Sequence, residues 1–363
     1  MVTQEVLYIA ASFVAAFIVV FVSIPSIVKV AEKKHLFDLP DHRTSHTHAI
    51  PTLGGLAIFA GFILSISLVP NINRMPEESI LVAASIIIFF IGLKDDILVT
   101  APLTKMSGQI VAAVILVIIG NIRISSLHGF YGITQIEYIP SILLSIFLIV
   151  VIINAFNLID GIDGLSSGVG ILTASTYGVW FYLFEKAQWS NISFSLVGAL
   201  LAFFIYNVFG KTNKIFMGDT GSLLLGLIMS VLTIEFNEFN KVTSSFYSIN
   251  AAPAVSFGIL IIPLFDTLRI MFVRIVQRKS PFMPDRNHIH HRLLDIGFSH
   301  LQATCILVLV NAIYIVFVFL AASRFEILRL MLLLLLISMV LSYIATLFAE
   351  HSIKKNTNRY KNG

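Results

Sequence analysis

Eleven apolar runs dominate this chain, and they decide what it can fold into. They lie at roughly 6–28, 51–70, 79–93, 106–120, 139–156, 165–184, 192–209, 220–236, 252–275, 302–322 and 328–349. A helix needs ~20 mostly apolar residues to cross the hydrocarbon core of a bilayer. No water reaches the backbone there, so each crossing segment must satisfy its own hydrogen bonds, as a helix does. The pattern predicts an all-α, polytopic integral membrane protein with about 10–11 transmembrane helices. Runs 79–93 and 106–120 are short and need residues from their flanks. Composition agrees. Of 363 residues, 57% are hydrophobic and 12% charged, whereas a soluble domain carries about 25% charged residues. A single transmembrane domain over 1–363 is expected, with 350–363 as a C-terminal tail.

The first run lacks a basic start and a small-residue cleavage site, so it reads as a retained span. Cys305 is the one cysteine. It rules out an intrachain disulfide and a cysteine metal cluster.

Eleven spans put the two termini on opposite sides of the membrane. The loops 29–50, 94–105, 157–164 and 210–219, the end of the ninth run through 301, and the tail share one side. That side carries 18 of the 24 Lys and Arg residues. Positive charge marks the cytoplasmic side, so the N-terminus is expected outside and the C-terminus in the cytoplasm. All ten aspartates fall on that same side, while eight of ten glutamates fall on the other. The positive-inside rule does not separate Asp from Glu. Turns and helix caps favour aspartate, but they would place some on both sides. A short carboxylate held near a turn is what a metal or phosphate site uses.

The polar stretches on that side carry the chemistry. "GLKDDI" places Asp95 and Asp96 at the end of the third run. Adjacent carboxylates repel unless a cation is near, so a solvated helix end and a divalent-metal or phosphate site both stand. Lys105 follows and can reach a phosphate, or simply snorkel. "NAFNLIDGIDGL" runs from Asn154 to Leu165. Asn157, Asp160 and Asp163 recur every three residues, and a helical turn would put them on one face. Their oxygens suit Mg²⁺. Gly161 and Gly164 permit a tight backbone and close approach of a ligand. "FMGDTGS" opens the eighth run, and a helix N-terminus is an anion site. Asp219 there reads either as a ligand-binding carboxylate or as an N-cap.

"PDRNHIHHRL" sets His288, His290 and His291 beside Arg286 and Arg292. Three histidines suggest zinc, but no cysteine supports it and the acids cluster elsewhere. A cationic, hydrogen-bonding clamp on a diphosphate fits better. A basic loop facing anionic lipid is the plainer alternative. "DLPDHRTSHTHAIPTLGG" carries Arg43, His46 and His48 in what defaults to a polar loop. Asp266 and Arg269 stand three apart and can pair within the ninth run. On the far side, 121–138 holds Gly129 and Gly132 between β-prone runs and suggests a small hairpin.

Together these stretches supply carboxylates and amides for a cation, glycine-flanked backbone, and Lys, Arg and His for anionic oxygens. Phosphoryl transfer needs that set, because it depends mainly on positioning and charge neutralisation. An all-membrane scaffold points to a lipid as one substrate.

"GLKDDI", "NAFNLIDGIDGL", "IFMGDTGS" and "PDRNHIHHRL" resemble, in order, the signature regions of the polyprenyl-phosphate N-acetylhexosamine-1-phosphate transferases. The resemblance spans residues 38–300. The His-X-His-His loop is more similar to the branch that starts O-antigen, enterobacterial common antigen and teichoic-acid linkage synthesis. The phospho-N-acetylmuramoyl-pentapeptide branch has a different histidine run, and the dolichol branch lacks the loop.

The resemblance implies a multi-pass enzyme of the bacterial inner membrane with its active site facing the cytoplasm. It implies that N-acetylhexosamine 1-phosphate, most simply GlcNAc-1-phosphate, passes from a UDP-sugar to undecaprenyl phosphate with release of UMP. Mg²⁺ is the implied cofactor, with Mn²⁺ as a substitute. Asp219 and Asn157 would hold it. Asp95 would deprotonate or orient the lipid phosphate, with Asp96 in support. Asp160 and Asp163 would sit by the nucleotide or around the metal. Lys105, Asn154, Arg286, His288, His290 and His291 would bind substrate. No nucleic-acid partner is expected, and a homodimer is compatible with this reading. Arg43-Thr44 departs from the Arg-Lys of many relatives, and the stretch Asn207–Asp219 is slightly longer than theirs. Rival readings are another UDP-N-acetylhexosamine or UDP-MurNAc-pentapeptide as donor, a divalent-cation transporter, and a membrane scaffold without catalysis.

Overall fold

The computed structural model describes residues 2–38, 50–68, 75–98, 100–241, 246–278 and 288–361. Each of the eleven apolar runs falls in a helix or a helix pair. In order these are α1 (Val2–Lys34), α2 (Gly54–Leu68), α3 (Pro76–Leu98), α4 (Pro102–Val114), α5 (Tyr138–Ile159), α6 (Leu165–Leu183), α7 (Ala187–Phe209) and α8 (Gly218–Phe239). Then come α9 (Ala252–Ile259), α10 (Ile261–Val276), α12 (His300–Ala321) and α13 (Ile327–Lys361), with the short α11 (Ile289–Ile296) between α10 and α12. A π turn, Ile115–Ile119, extends α4. Among the described residues, α1, α4 with its π turn, α5, α7, α8, α12 and α13 are each long and apolar enough to cross a membrane unaided. The protein is an all-α, polytopic membrane protein. The strands are two residues each, β1 (Phe37–Asp38) and β2 (Ile50–Pro51), paired antiparallel.

Two prolines show how the bundle meets the hydrogen-bonding demand of a membrane interior. A helical proline leaves the carbonyl four residues back without a partner. Pro25 does this to Phe21, and the Tyr206 hydroxyl of α7 donates to that oxygen at 3.1 Å. Pro263 does it to Ile259, where α9 gives way to α10, and the Asn311 amide of α12 donates there at 3.2 Å.

Helix α8 is the buried axis of the molecule, with almost every residue from Thr220 to Asn237 shielded. Small residues let its neighbours approach to backbone contact. A Cβ added to Gly55 of α2 would lie 2.1 Å from the Gly221 nitrogen, and one on Gly92 of α3 would lie 2.5 Å from the Thr220 Cα. The segment before α2 extends this contact: Phe216 N donates to Pro51 O, and Gly54 N and Gly55 N donate to Phe216 O and Met217 O. Gly55→Val is therefore expected to overpack this junction and cost ~1–3 kcal/mol or more. Thermal unfolding in detergent measures it, and an unchanged midpoint would show that α2 is not seated against α8.

The far-side hairpin is smaller than the glycine spacing suggests. It carries one bridge, Phe130↔Ile133, with bonds from Gly129 N to Ile133 O at 3.1 Å and from Ile136 N to Ser125 O at 2.9 Å.

Candidate active site

Helix α3 ends on two adjacent carboxylates that do different things. Asp96 reaches the start of α8. Its Oδ1 accepts from Asp219 N at 2.7 Å, and its Oδ2 accepts from Thr220 N at 3.0 Å and Thr220 Oγ1 at 2.5 Å. The first turn of a helix has free N–H groups and a positive dipole end. No residue at the start of α8 caps them with its own side chain, so α3 supplies the cap from outside. Gly218 makes the approach feasible: its φ is +69°, and a Cβ would sit 2.2 Å from Thr52 O and 2.7 Å from Asp96 Oδ1.

With the cap supplied by Asp96, the Asp219 side chain is released from the capping alternative. Lys105 Nζ lies 2.6 Å from Asp219 Oδ2 and 3.4 Å from Asp95 Oδ2, and it donates to Asn157 Oδ1 at 3.3 Å. Asn157 Nδ2 donates to Asp219 Oδ1 at 2.5 Å and to Ser222 Oγ at 2.9 Å. Thr100 fixes Asp95, giving its Oδ1 a backbone N–H at 2.5 Å and a hydroxyl at 2.6 Å. Two carboxylates and one amide oxygen thus converge on an ammonium, and hard oxygen donors of this kind suit Mg²⁺. Among the described residues no three His, Cys, Asp or Glu side chains group as metal ligands, so the amide of Asn157 is needed to complete an oxygen set. The donor chemistry fits a hard divalent cation.

The turn after α5 corrects one expectation. Asn157, Asp160 and Asp163 do not share a face, because the helix stops at Ile159 and Gly164 takes φ +79°. Asn157 turns to Asp219. Asp160 forms the C-cap of α5. Asp163 turns the other way: its Oδ2 lies 2.6 Å from Lys214 Nζ and 3.3 Å from His300 Nδ1, and its carbonyl accepts from Thr304 Oγ1 at 2.8 Å. Asn207 ties this turn to the loop before α8, accepting from Gly164 N at 2.6 Å and donating to Ile215 O at 2.9 Å.

Burial pushes the Asp163 carboxyl up, but His300 and Lys214 outweigh it and hold it below the ordinary carboxylate value. A depressed pKa adds stability above the unfolded value, ~3.9, that is lost as pH falls through the folded one. Asp163→Asn should therefore unfold at lower temperature than the parent at pH 7, with the gap closing below about pH 4. A gap independent of pH would exclude the charge pairing as its source.

The histidine loop docks on this turn. Asp266, 2% exposed, holds it. Its Oδ2 lies 2.8 Å from His288 Nδ1, and its Oδ1 accepts from Ile289 N at 3.1 Å and from Arg269 Nη2 at 3.0 Å. The expected Asp266–Arg269 pair is present and does more than pair. His290 is 2% exposed and stacks on His288 at 5.5 Å between centroids. A Cβ on Gly161 would lie 2.5 Å from His290 Nε2, so the close approach that Gly161 permits is made by this imidazole. Burial and then His291 push His290 down to about 3. A shift in that direction favours the neutral imidazole, which is the hydrogen-bonding part of the clamp expected from the sequence.

The other predicted residues sort as follows. Asn154 is engaged one turn deeper, with Gln109 Oε1 at 2.7 Å and Val150 O at 2.7 Å, and does not join the cluster. Arg286, Arg43, His46 and His48 lie outside the described residues. Sequence reasoning missed Thr100, Lys214, His300 and Asn207. Lys214 and Asn207 lie shortly before the glycine-aspartate motif, but nothing in their spacing distinguishes them from ordinary loop and helix-end residues.

The fold and the cluster define a polytopic membrane protein with an oxygen-rich polar site at one end of its bundle. The family model described as "Glycosyl transferase family 4" matches residues 79–237, which include Asp95, Lys105, Asn157 and Asp219. An undecaprenyl-phosphate alpha-N-acetylglucosaminyl 1-phosphate transferase of Escherichia coli O157:H7 is 31% identical over 288 residues, 78% of this chain and 76% of its own. A probable undecaprenyl-phosphate N-acetylglucosaminyl 1-phosphate transferase of Bacillus subtilis (strain 168) is 30% identical over 318 residues, 86% of this chain and 85% of its own. The chain belongs to glycosyl transferase family 4.

Proposed function

We propose that this protein transfers an N-acetylhexosamine 1-phosphate, GlcNAc-1-phosphate first among them, from a UDP-sugar to undecaprenyl phosphate. An oxygen of the lipid phosphate attacks the sugar-bearing phosphorus, and the bond from that phosphorus to the UMP oxygen breaks. The convergence of Asp95, Asp219, Asn157 and Lys105 supports this reading, as do the activities for which the two relatives are named. Both reactants are anions, so catalysis is mainly positioning and neutralisation. Mg²⁺, or Mn²⁺ in its place, would be held by Asp219 and Asn157 and would neutralise the diphosphate. Asp95, locked by Thr100, orients the lipid phosphate. An aspartate near pKa ~3.9 is a weak base, and a phosphate monoester is already partly dianionic at neutral pH. Lys105 would bind phosphate oxygens, and His288, His290, His291 and Arg286 would bind the diphosphate. We place the site on the cytoplasmic face of a bacterial inner membrane.

A divalent-cation transporter would carry ionisable residues at midplane. The carboxylates of this cluster sit at helix ends instead. Purified protein with undecaprenyl phosphate and a panel of UDP-sugars, including UDP-MurNAc-pentapeptide, tests the proposal. UMP release is expected with one UDP-N-acetylhexosamine, lost with EDTA and restored by Mg²⁺. No release with any donor would overturn the reaction, and full activity in EDTA would overturn the metal.

A further inference from the structure

A second polar site lies at the opposite end of the bundle. A cavity of about 710 Å³ opens there, with Arg123, His128, Tyr138, Asn240, Lys241 and Asn250 in its wall. Three of the helices that build the active site end at it. The π turn after α4 runs out just before Arg123, α5 starts at Tyr138, and α8 ends at Phe239. At 1.5 Å per residue the two sites stand about 30 Å apart, the thickness of a bilayer core.

The wall is rich in donors. Arg123 uses Nε on Asn121 Oδ1 and Nη1 on Ser141 Oγ, at 2.9 and 2.8 Å, and lies 5.0 Å over the Tyr138 ring. A guanidinium has five N–H donors, so three remain. Glu238 stands nearby, but Ser125 N, Ser125 Oγ and Lys241 already satisfy it. Among the described residues no acidic side chain lines the cavity itself. The aromatic residues Tyr131, Tyr138, Phe246 and Tyr247 are exposed, as expected at a membrane–water interface.

We propose that this cavity is a binding site for a phosphate group, offered by an anionic lipid headgroup or as free phosphate, separate from the active site. Arg123 supplies the charge and three free N–H groups, Lys241 adds the one ammonium N–H that Ser125 Oγ and Glu238 leave over, and the Tyr138 ring lies under the guanidinium. Such a site would tie the three shared helices to the lipid composition of the far leaflet.

Native mass spectrometry of the full chain released from detergent tests this. Separate titrations use phosphatidylglycerol, phosphatidylcholine and inorganic phosphate. The protein should retain phosphatidylglycerol or phosphate well above phosphatidylcholine. Lys241→Gln and Arg123→Gln should each weaken that retention about tenfold, the loss of one charged contact. Retention of phosphatidylglycerol alone assigns the site to a headgroup, and competition by phosphate assigns it to the free anion. Arg324→Gln removes an exposed charge at the same end without touching the cavity, and it should change nothing. Arg123→Lys guards against misfolding by keeping the charge. Equal retention in all variants, or an equal loss in Arg324→Gln, would overturn the proposal.

Discussion

Asp219→Asn is expected to lower turnover by ~10²–10³-fold, the scale on which one preorganised electrostatic contact acts in a dry site. The substitution keeps the shape and removes the charge that faces Lys105 at 2.6 Å. It also replaces one oxygen with an amide nitrogen, and the Asn157 amide already donates to that carboxylate. Donor would meet donor, or the set would lose an oxygen for the cation. The fold should survive, because the cap on α8 uses the Asp219 backbone N–H and not its side chain. UMP release and thermal unfolding, measured together, check both halves. Near-full activity would remove Asp219 from the site, and a collapse in stability would make it a structural residue.

Asp96→Asn is expected to fail differently. Its two oxygens accept three hydrogen bonds from Asp219 N, Thr220 N and Thr220 Oγ1. An asparagine has one acceptor oxygen, so its amide would face a backbone N–H that cannot accept. Loss of a capping side chain costs about 0.5–2 kcal/mol, and loss of a negative charge at a helix N-terminus adds to it. We expect a fall of ~1–2 kcal/mol in stability, together with lower activity, because a frayed first turn lets Asp219 drift from Lys105. Asp96 is thus expected to act as a positioning residue. If Asp96→Asn lost activity while its unfolding midpoint stayed at the parental value, Asp96 would instead act on substrate directly.

These two outcomes turn on a distinction that adjacent letters cannot carry. "GLKDDI" offers two aspartates of the same type. Successive helical residues point about 100° apart, so one meets α8 and the other meets Thr100 and Lys105. Likewise the three-residue rhythm of Asn157, Asp160 and Asp163 suggests one helical face, and the glycine turn sends Asp163 to Lys214 and His300 instead. Asp266 was legible as the partner of Arg269, three residues on. Its hold on His288 and Ile289, more than twenty residues away, was not.

What the sequence determined by itself was whatever local chemistry dictates. Apolar runs of membrane length must become helices, because backbone groups in hydrocarbon have no other partner. The segregation of aspartates brought the polar stretches to one end, and their residue types named the cation-and-phosphate chemistry. What only the tertiary structure decided was which oxygen faces which partner. The outside cap from Asp96, the imidazole seated on Gly161 and the clasp of Lys214 on Asp163 all join residues far apart in the chain. Such contacts depend on the direction in which packed helices turn their ends, and no local spacing encodes that direction.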